Sequence, residues 1–108
     1  MLYLMIMFHQ IVGKGLQIRQ WMKDLVDKAT DKLSKYFPHL PPDGKFIRVT
    51  IGRDVVKRYK VRLQVSLPKR ILFAQEQGDK LRTTVNEAAD EMRRQLKRYR
   101  DRLRRFKK

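Results

Sequence analysis

Basic side chains near the end of the chain have the types and spacing best suited to chemistry, and that chemistry is the binding of phosphate. Residues 93–108 hold ten basic side chains and one acidic side chain. Seven of the ten are arginines, whose planar guanidinium forms forked hydrogen bonds to phosphate oxygens. So much like charge destabilises a fold unless a polyanion neutralises it. The predicted polyanion-binding residues of this segment are Arg93, Arg94, Lys97, Arg98, Arg100 and Arg102.

A second basic cluster lies near the middle of the chain. Residues 45–75 hold nine basic side chains and one acidic side chain. Arg58, Lys60 and Arg62 alternate with apolar residues, so we expect them to share the polar face of a strand. Neighbouring like charges repel, and a face that is merely solvated more often mixes signs. We therefore predict that these three residues also bind the polyanion.

Patterns that could support catalysis or a metal site are weak. Glu87 and Glu91 lie at helical spacing, but Asp90 stands where the glutamates of di-iron bundles are followed by a histidine. The glycines of residues 13–15 are too few for a phosphate loop. The chain has no cysteine, which excludes a thiol nucleophile, a zinc–thiolate site and an iron–sulfur cluster. We predict a protein that is not an enzyme and uses no metal or cofactor.

Length and composition limit the class of protein. The chain has 108 residues and a formal net charge of +16, which fits one domain that binds nucleic acid or, less often, an anionic membrane. A hydrophobic fraction of 42% is enough to build a core. The apolar run at residues 2–8 lacks the basic start of a secretory signal. It is also far shorter than the roughly 20 residues that cross a bilayer. We predict a cytoplasmic protein in which this run is a buried strand.

Hydrophobic periodicity predicts the elements that position these charges. Apolar residues recur at intervals of three and four in two segments and alternate with polar residues in others. The predicted elements are strands at residues 2–8, 45–52, 58–67 and 70–75 and helices at residues 18–37 and 81–106. A hairpin turn is expected at residues 52–54, and Asp79 is expected to cap the last helix. Trp21 and Phe73 are expected in the core.

The order β-α-β-β-β-α predicts an α+β fold. A helical crossover makes the first two strands parallel, and hairpins make the remaining pairs antiparallel. Two helices on one face of a four-stranded mixed sheet complete the predicted architecture. We predict one domain spanning residues 1–108, with residues 100–108 as a basic extension of the last helix.

Several segments resemble the ribosome hibernation promoting factor and ribosome-associated inhibitor A family, which is sigma-54 modulation protein-like. They are residues 32–37 (KLSKYF), 76–81 (EQGDKL), 85–88 (VNEA) and 94–97 (RQLK). The resemblance covers nearly the whole chain and is strongest in residues 68–100. The family usually has a tyrosine and small residues near the start of the last helix, where this chain has residues 82–84 (RTT). Because neither an acidic tail nor a second domain follows, the chain resembles the short form of the family.

The resemblance implies a double-stranded-RNA-binding-like fold that docks on the small ribosomal subunit and its rRNA. There it would fill the decoding channel, compete with mRNA and with A- and P-site tRNA, and silence translation under stress or in stationary phase. Matched positions imply that Arg94, Lys97 and Arg98 contact rRNA phosphates. The implied protein is a monomer off the ribosome and does not bind membranes.

Two other interpretations remain open. A general double-stranded RNA-binding module, or a structural ribosomal protein, would carry similar charge. The basic amphipathic segment at residues 85–108 could instead bind an anionic membrane or an acidic partner helix. We expect its apolar stripe to pack on the sheet, which argues against the membrane.

Overall fold

The computed structural model describes residues 8–33, 36, 46–67 and 70–106, and for residues 8, 9, 46 and 103–106 it describes the backbone alone. The elements follow the predicted order of strands and helices. They are β1 (Phe8–Lys14), α1 (Gln20–Asp31), β2 (Phe46–Arg53), β3 (Tyr59–Leu67), β4 (Arg70–Gly78) and α2 (Leu81–Phe106).

The four strands form one mixed sheet in the order β1-β2-β3-β4. Strands β1 and β2 are parallel, since α1 lies in the connection between them, and Lys14 stands opposite Gly52. The other two pairs are antiparallel, with Leu63 opposite both Val49 and Ala74. The predicted α+β fold, with two helices and a four-stranded mixed sheet, is confirmed.

Alternation along the strands decides which side chains enter the core. The inward residues of β2 and β3 are buried, while the residues between them, apart from the buried Gly52, are partly or fully exposed. The apolar stripe of α2 from Leu81 to Leu96 is buried in the same core, together with Met22, Val26 and Ala29 of α1. The helices therefore cover one face of the sheet. The opposite face, which we call the open face, carries the polar residues of the strands.

The first strand and the first helix differ from their predicted bounds. Within the described residues β1 runs from Phe8 to Lys14, whereas residues 2–7, where the strand was predicted, lie outside them. Helix α1 begins only at Gln20, and Ile18 packs against the core from the preceding loop, which explains why it fitted the helical spacing. The helix ends at Asp31. Of the predicted continuation to residue 37, residues 34, 35 and 37 lie outside the described residues.

The hairpin turn between β2 and β3 is longer than predicted. It occupies residues 54–58, because Asp54 accepts hydrogen bonds from the backbone N–H groups of Val56 (3.0 Å) and Arg58 (2.9 Å). Lys57 adopts a φ of 65°. Burial raises the pKa of the Asp54 carboxyl, but these backbone bonds and the Arg58 guanidinium outweigh it and leave the pKa below its usual range. Val55 and Val56 are exposed in this turn. Because valine is not a residue type typical of turns, the sequence did not indicate that the turn extends through them.

Strand β4 and helix α2 also shift slightly from the predicted bounds. Strand β4 continues to Gly78, three residues beyond the expected end. Helix α2 begins at Leu81, and the Lys80 carbonyl accepts the N–H of Thr84 at 3.0 Å. Lys80 therefore occupies the capping position that was predicted for Asp79.

We predict that Gly13→Ala destabilises the fold more than Gly15→Ala. A Cβ at Gly13 would collide with the Leu16 carbonyl oxygen and lie 2.9 Å from Cγ1 of Ile18, and shifting this loop should cost about 1–3 kcal/mol. Gly15 has a φ of 74° but open space around it, so alanine there should cost about 1 kcal/mol. The measurement is the free energy of unfolding in urea. Equal losses would contradict the importance of the close approach at Gly13.

Candidate nucleic-acid interface

The predicted basic residues lie on both sides of the sheet. Lys60 and Arg62 alternate with the buried Val61 and Leu63, so they project from the open face. The basic residues of α2 belong to the helical layer that covers the other face. The structure therefore gathers the predicted residues other than Arg58, which lies in the turn before β3, into two clusters, one on the open face and one on α2.

Four of the six residues predicted on α2 are exposed: Arg94, Lys97, Arg98 and Arg102. Arg94 donates to Oε1 of Glu91 from Nε (3.2 Å) and Nη2 (2.9 Å), and Nη2 of Arg98 lies 3.8 Å from Oε2 of Glu91. The side chains of Arg94 and Arg98 nevertheless remain 57% and 66% exposed. Exposed ion pairs of this kind are weak, so Glu91 orients the two guanidinium groups without removing them from solvent.

Glu91 is held ionised by its neighbours. Hydrogen bonds from Arg94 and then from Gln95 lower the pKa of the Glu91 carboxyl, which outweighs the opposing effect of partial burial. Gln95 donates through Nε2 to Oε2 of Glu91 at 3.2 Å and to the backbone carbonyl of Phe73 at 2.7 Å. The side chain of Gln95 thus joins α2 to the edge of strand β4.

A groove of about 330 Å³ runs between α2 and the β4 edge. Arg98 and Arg102 line it from the helix, and Arg70 lines it from the first residue of β4. None of the described residues that line it is acidic. Three guanidinium groups around one groove form an arrangement that suits phosphate oxygens. Sequence reasoning missed Arg70, because only the pairing of β4 with the helix brings it to the α2 cluster.

Two other predicted residues, Arg100 and Arg58, make contacts within the protein. The guanidinium carbon of Arg100 lies 5.1 Å from the ring centroid of Tyr36, and its Nε is buried without a hydrogen-bond partner among the described residues. Arg58 precedes β3 and pairs with Asp54, with 3.1 Å between Nε and Oδ2. Arg93 is partly exposed on α2. A role for all three in binding RNA stays a prediction.

The open face holds more cations than sequence reasoning assigned to it. A shallow concavity of about 710 Å³ includes Lys14 and Arg48 beside the predicted Lys60 and Arg62, and it also reaches Arg53. Lys14 is opposite Gly52, which in turn is opposite Lys60. Only this strand register, a non-local property, reveals that the cations of three strands share one surface.

Phe73 and Trp21 were expected in the core, and this expectation is wrong. Phe73 is 43% exposed, because the inward positions of β4 are those of Leu72 and Ala74. The guanidinium carbon of Arg62 lies 4.5 Å from the Phe73 ring centroid, a distance typical of a cation–π contact. Trp21 is 51% exposed beside a groove between the two helices.

The remaining alternatives find little support in the described residues. In this part of the chain, no group of three or more histidine, aspartate and glutamate side chains is placed to hold a metal ion. No helix within the same residues is long and apolar enough to cross a membrane. The stripe of α2 from Leu81 to Leu96 is buried against the sheet, which leaves that stretch no apolar face to lie on a bilayer.

Comparison with known proteins identifies relatives of this chain. The family model described as Sigma 54 modulation protein / S30EA ribosomal protein matches residues 9–104. A similar curated protein is the ribosome hibernation promotion factor of Deinococcus radiodurans, which is 22% identical over 94 residues. The match covers 87% of this chain and 49% of that relative. The chain thus spans about half the length of the curated relative.

Two solved structures share the fold. The crystal structure of the Thermus thermophilus Protein Y N-terminal domain matches with a TM-score of 0.73 and 23% identity, covering 85% of this chain and 97% of that one. The structure of a ribosomal subunit interface protein from Coxiella burnetii matches with a TM-score of 0.71 and 21% identity, covering 87% and 98%. The likeness to double-stranded RNA-binding domains in particular stays a prediction.

We predict that Glu91→Gln lowers stability at neutral pH by about 0.5 kcal/mol, the usual value of exposed helical ion pairs. The pKa of Glu91 is lowered from 4.5, so its stabilisation is present above that value and is lost as the pH falls through the lower, folded-state pKa. The stability difference between wild type and variant should therefore vanish in acid.

Thermal unfolding from neutral to acidic pH measures this difference. Glu87→Gln makes the same charge change elsewhere on α2 and serves as the control. A stability difference for Glu91→Gln that persists unchanged at the most acidic pH would contradict the role of the ion pair.

Proposed function

The chain belongs to the Sigma 54 modulation protein / S30EA ribosomal protein family, and from this premise we propose that it is a cytoplasmic ribosome hibernation factor. It binds the small ribosomal subunit in the decoding channel and blocks the binding of mRNA and of A- and P-site tRNA. Translation is thereby silenced under stress or in stationary phase. The observation that carries the proposal is a family match to residues 9–104, a span that includes both basic clusters.

The proposed mechanism is occlusion by binding and involves no reaction. Arginine and lysine side chains neutralise rRNA phosphates and release their counterions, so affinity should fall steeply with salt. The net charge of +16 also speeds encounter with a large polyanion. On α2, Arg94, Lys97 and Arg98 make the principal phosphate contacts, and Arg102 adds a further contact from the edge groove.

The distribution of the cations favours binding within an RNA-lined channel rather than binding to one RNA duplex. The α2 cluster lies on the helical side of the sheet, and Lys60 and Arg62 lie on the open face. A partner that touches one side would leave the repulsion on the other side uncompensated. RNA on two walls of a channel neutralises both sides at once. This argument favours a decoding-channel occluder over a general double-stranded RNA-binding module.

We predict that reversing three charges, Arg94→Glu, Lys97→Glu and Arg98→Glu together, weakens binding to the small subunit by about 100-fold or more. Each substitution replaces a charge-assisted contact to phosphate with repulsion. Co-sedimentation with purified small subunits across a salt series measures the effect, and circular dichroism checks the fold.

The matched control reverses three exposed charges of the α1 segment: Arg19→Glu, Lys23→Glu and Lys28→Glu. It changes the net charge by the same amount as the α2 variant. Because these residues are not among the proposed phosphate contacts, the α1 variant should weaken binding far less. Unchanged binding of the α2 variant to the small subunit, or an equal loss of binding in the α1 variant, would contradict the assignment of the contacts to α2.

We also predict that mRNA together with tRNA displaces the protein from the small subunit, since all three occupy one channel. The measurement is co-sedimentation at fixed salt with rising mRNA and tRNA. A structural ribosomal protein or a general RNA-binding module would stay bound, and that outcome would refute occlusion of the decoding region.

A further inference from the structure

The open face has an unusual charge composition. Strand alternation and register place four basic residues on it and no acidic residue among the described strand positions. These four are Lys14, Arg48, Lys60 and Arg62. The acidic residue of β4, Glu76, stands opposite Val61 on the inward side. A polyanion that lies across this face therefore meets no carboxylate from the strands.

At one end of this cationic surface lies an exposed π-stack. The Phe73 ring has the Arg62 guanidinium carbon 4.5 Å from its centroid and is still 43% exposed. Exposed aromatic rings and arginine planes on a sheet are the platforms on which unpaired nucleic-acid bases stack. Exposure of the apolar Phe73 ring to water does not stabilise the fold. Its position beside the cations therefore suggests a ligand with both a flat apolar part and negative charge.

The neighbours of the stack can form hydrogen bonds to a base. Gln64 is opposite Phe73, and Gln75 is opposite Arg62, according to the strand register. Thr50 is opposite Arg62 on the other side. Amide and hydroxyl groups both donate and accept, which suits the edges of nucleobases. Polar groups that can form hydrogen bonds to the edge of a nucleobase thus flank the Arg62–Phe73 pair, on which the base can stack.

We propose that the open face binds unpaired RNA, with a base stacked on the Arg62–Phe73 pair and neighbouring phosphates bound by Lys14, Arg48 and Lys60. The inference rests on the proposed function in taking RNA as the ligand, and it names the form of RNA and a site distinct from α2. Duplex RNA fits poorly, because its bases are already stacked within the helix. A membrane fits poorly too, because Phe73 and Ile71 are flanked by polar side chains.

The test compares a labelled oligouridine with a short mixed-sequence RNA duplex by fluorescence anisotropy across a salt series. Phe73→Leu should weaken oligouridine binding by about tenfold, the usual effect of losing one stacked base, while its salt slope and duplex affinity stay unchanged. Arg62→Lys keeps the charge but loses the plane, so it should weaken oligouridine binding without altering the salt slope. Phe73→Tyr should restore wild-type affinity.

The matched control is Trp21→Leu, which removes a similarly exposed ring from the helical side and should leave oligouridine binding unchanged. Circular dichroism checks that each variant folds, and Arg62→Lys tests the stack without altering β4. Unchanged oligouridine affinity in both Phe73→Leu and Arg62→Lys would overturn the proposal. So would an equal loss in Trp21→Leu, or flotation with phosphatidylserine vesicles that Phe73→Leu abolishes while RNA binding is unaffected.

Parallel co-sedimentation with small subunits separates this proposal from the proposed function. If Phe73→Leu and Arg62→Lys both leave oligouridine binding intact while the triple α2 variant loses the subunit, the open-face inference fails and the hibernation role stands. If Phe73→Leu weakens oligouridine binding while the protein never binds the subunit, the inference stands and the hibernation role fails.

Discussion

One-sided coverage of the sheet is the constraint on which the rest of the structure depends. Side chains of a strand alternate between two faces, so packing both helices on one face sends every other residue of each strand to the opposite face. The inward set Ile47, Val49, Ile51 and their partners on β3 and β4 supplies the core. The outward set therefore has to be soluble, and in this chain it is rich in cations instead of mixed in sign.

Electrostatic repulsion is the recurring cost of this arrangement, and the protein offsets it locally. Glu91 neutralises part of the charge of Arg94 and Arg98, and Asp54 does so for Arg58. Arg62 instead places its guanidinium group over the ring of Phe73, and Arg100 lies over the ring of Tyr36 while its Nε is 3.7 Å from Oδ1 of Asp101. The cation–π contacts fix the positions of these guanidinium groups without neutralising their charge, so long-range attraction for a polyanion is retained.

The sequence predicted what local periodicity determines. The order of elements, the inward residues of β2 and β3 and the apolar stripe of α2 all follow from spacing, and the structure confirms them. Non-local pairing determines the rest. The register that places Lys14 and Arg48 near Lys60 cannot be read from any one segment.

Two kinds of local misreading had physical causes. The hairpin turn was predicted at residues 52–54, but the Asp54 carboxylate accepts hydrogen bonds from the backbone N–H groups of Val56 and Arg58, and the turn therefore occupies residues 54–58. The aromatic character of Phe73 suggested the core, yet strand alternation places it outside between Leu72 and Ala74.

The hydrogen bond from the Gln95 amide to the Phe73 carbonyl also affects the edge of the sheet. Strand β4 ends the sheet, and an unpaired sheet edge is a template for adding a strand from another chain. With one outward carbonyl occupied and the arginines of α2 beside the groove, this border is guarded against edge-to-edge aggregation of the protein with itself.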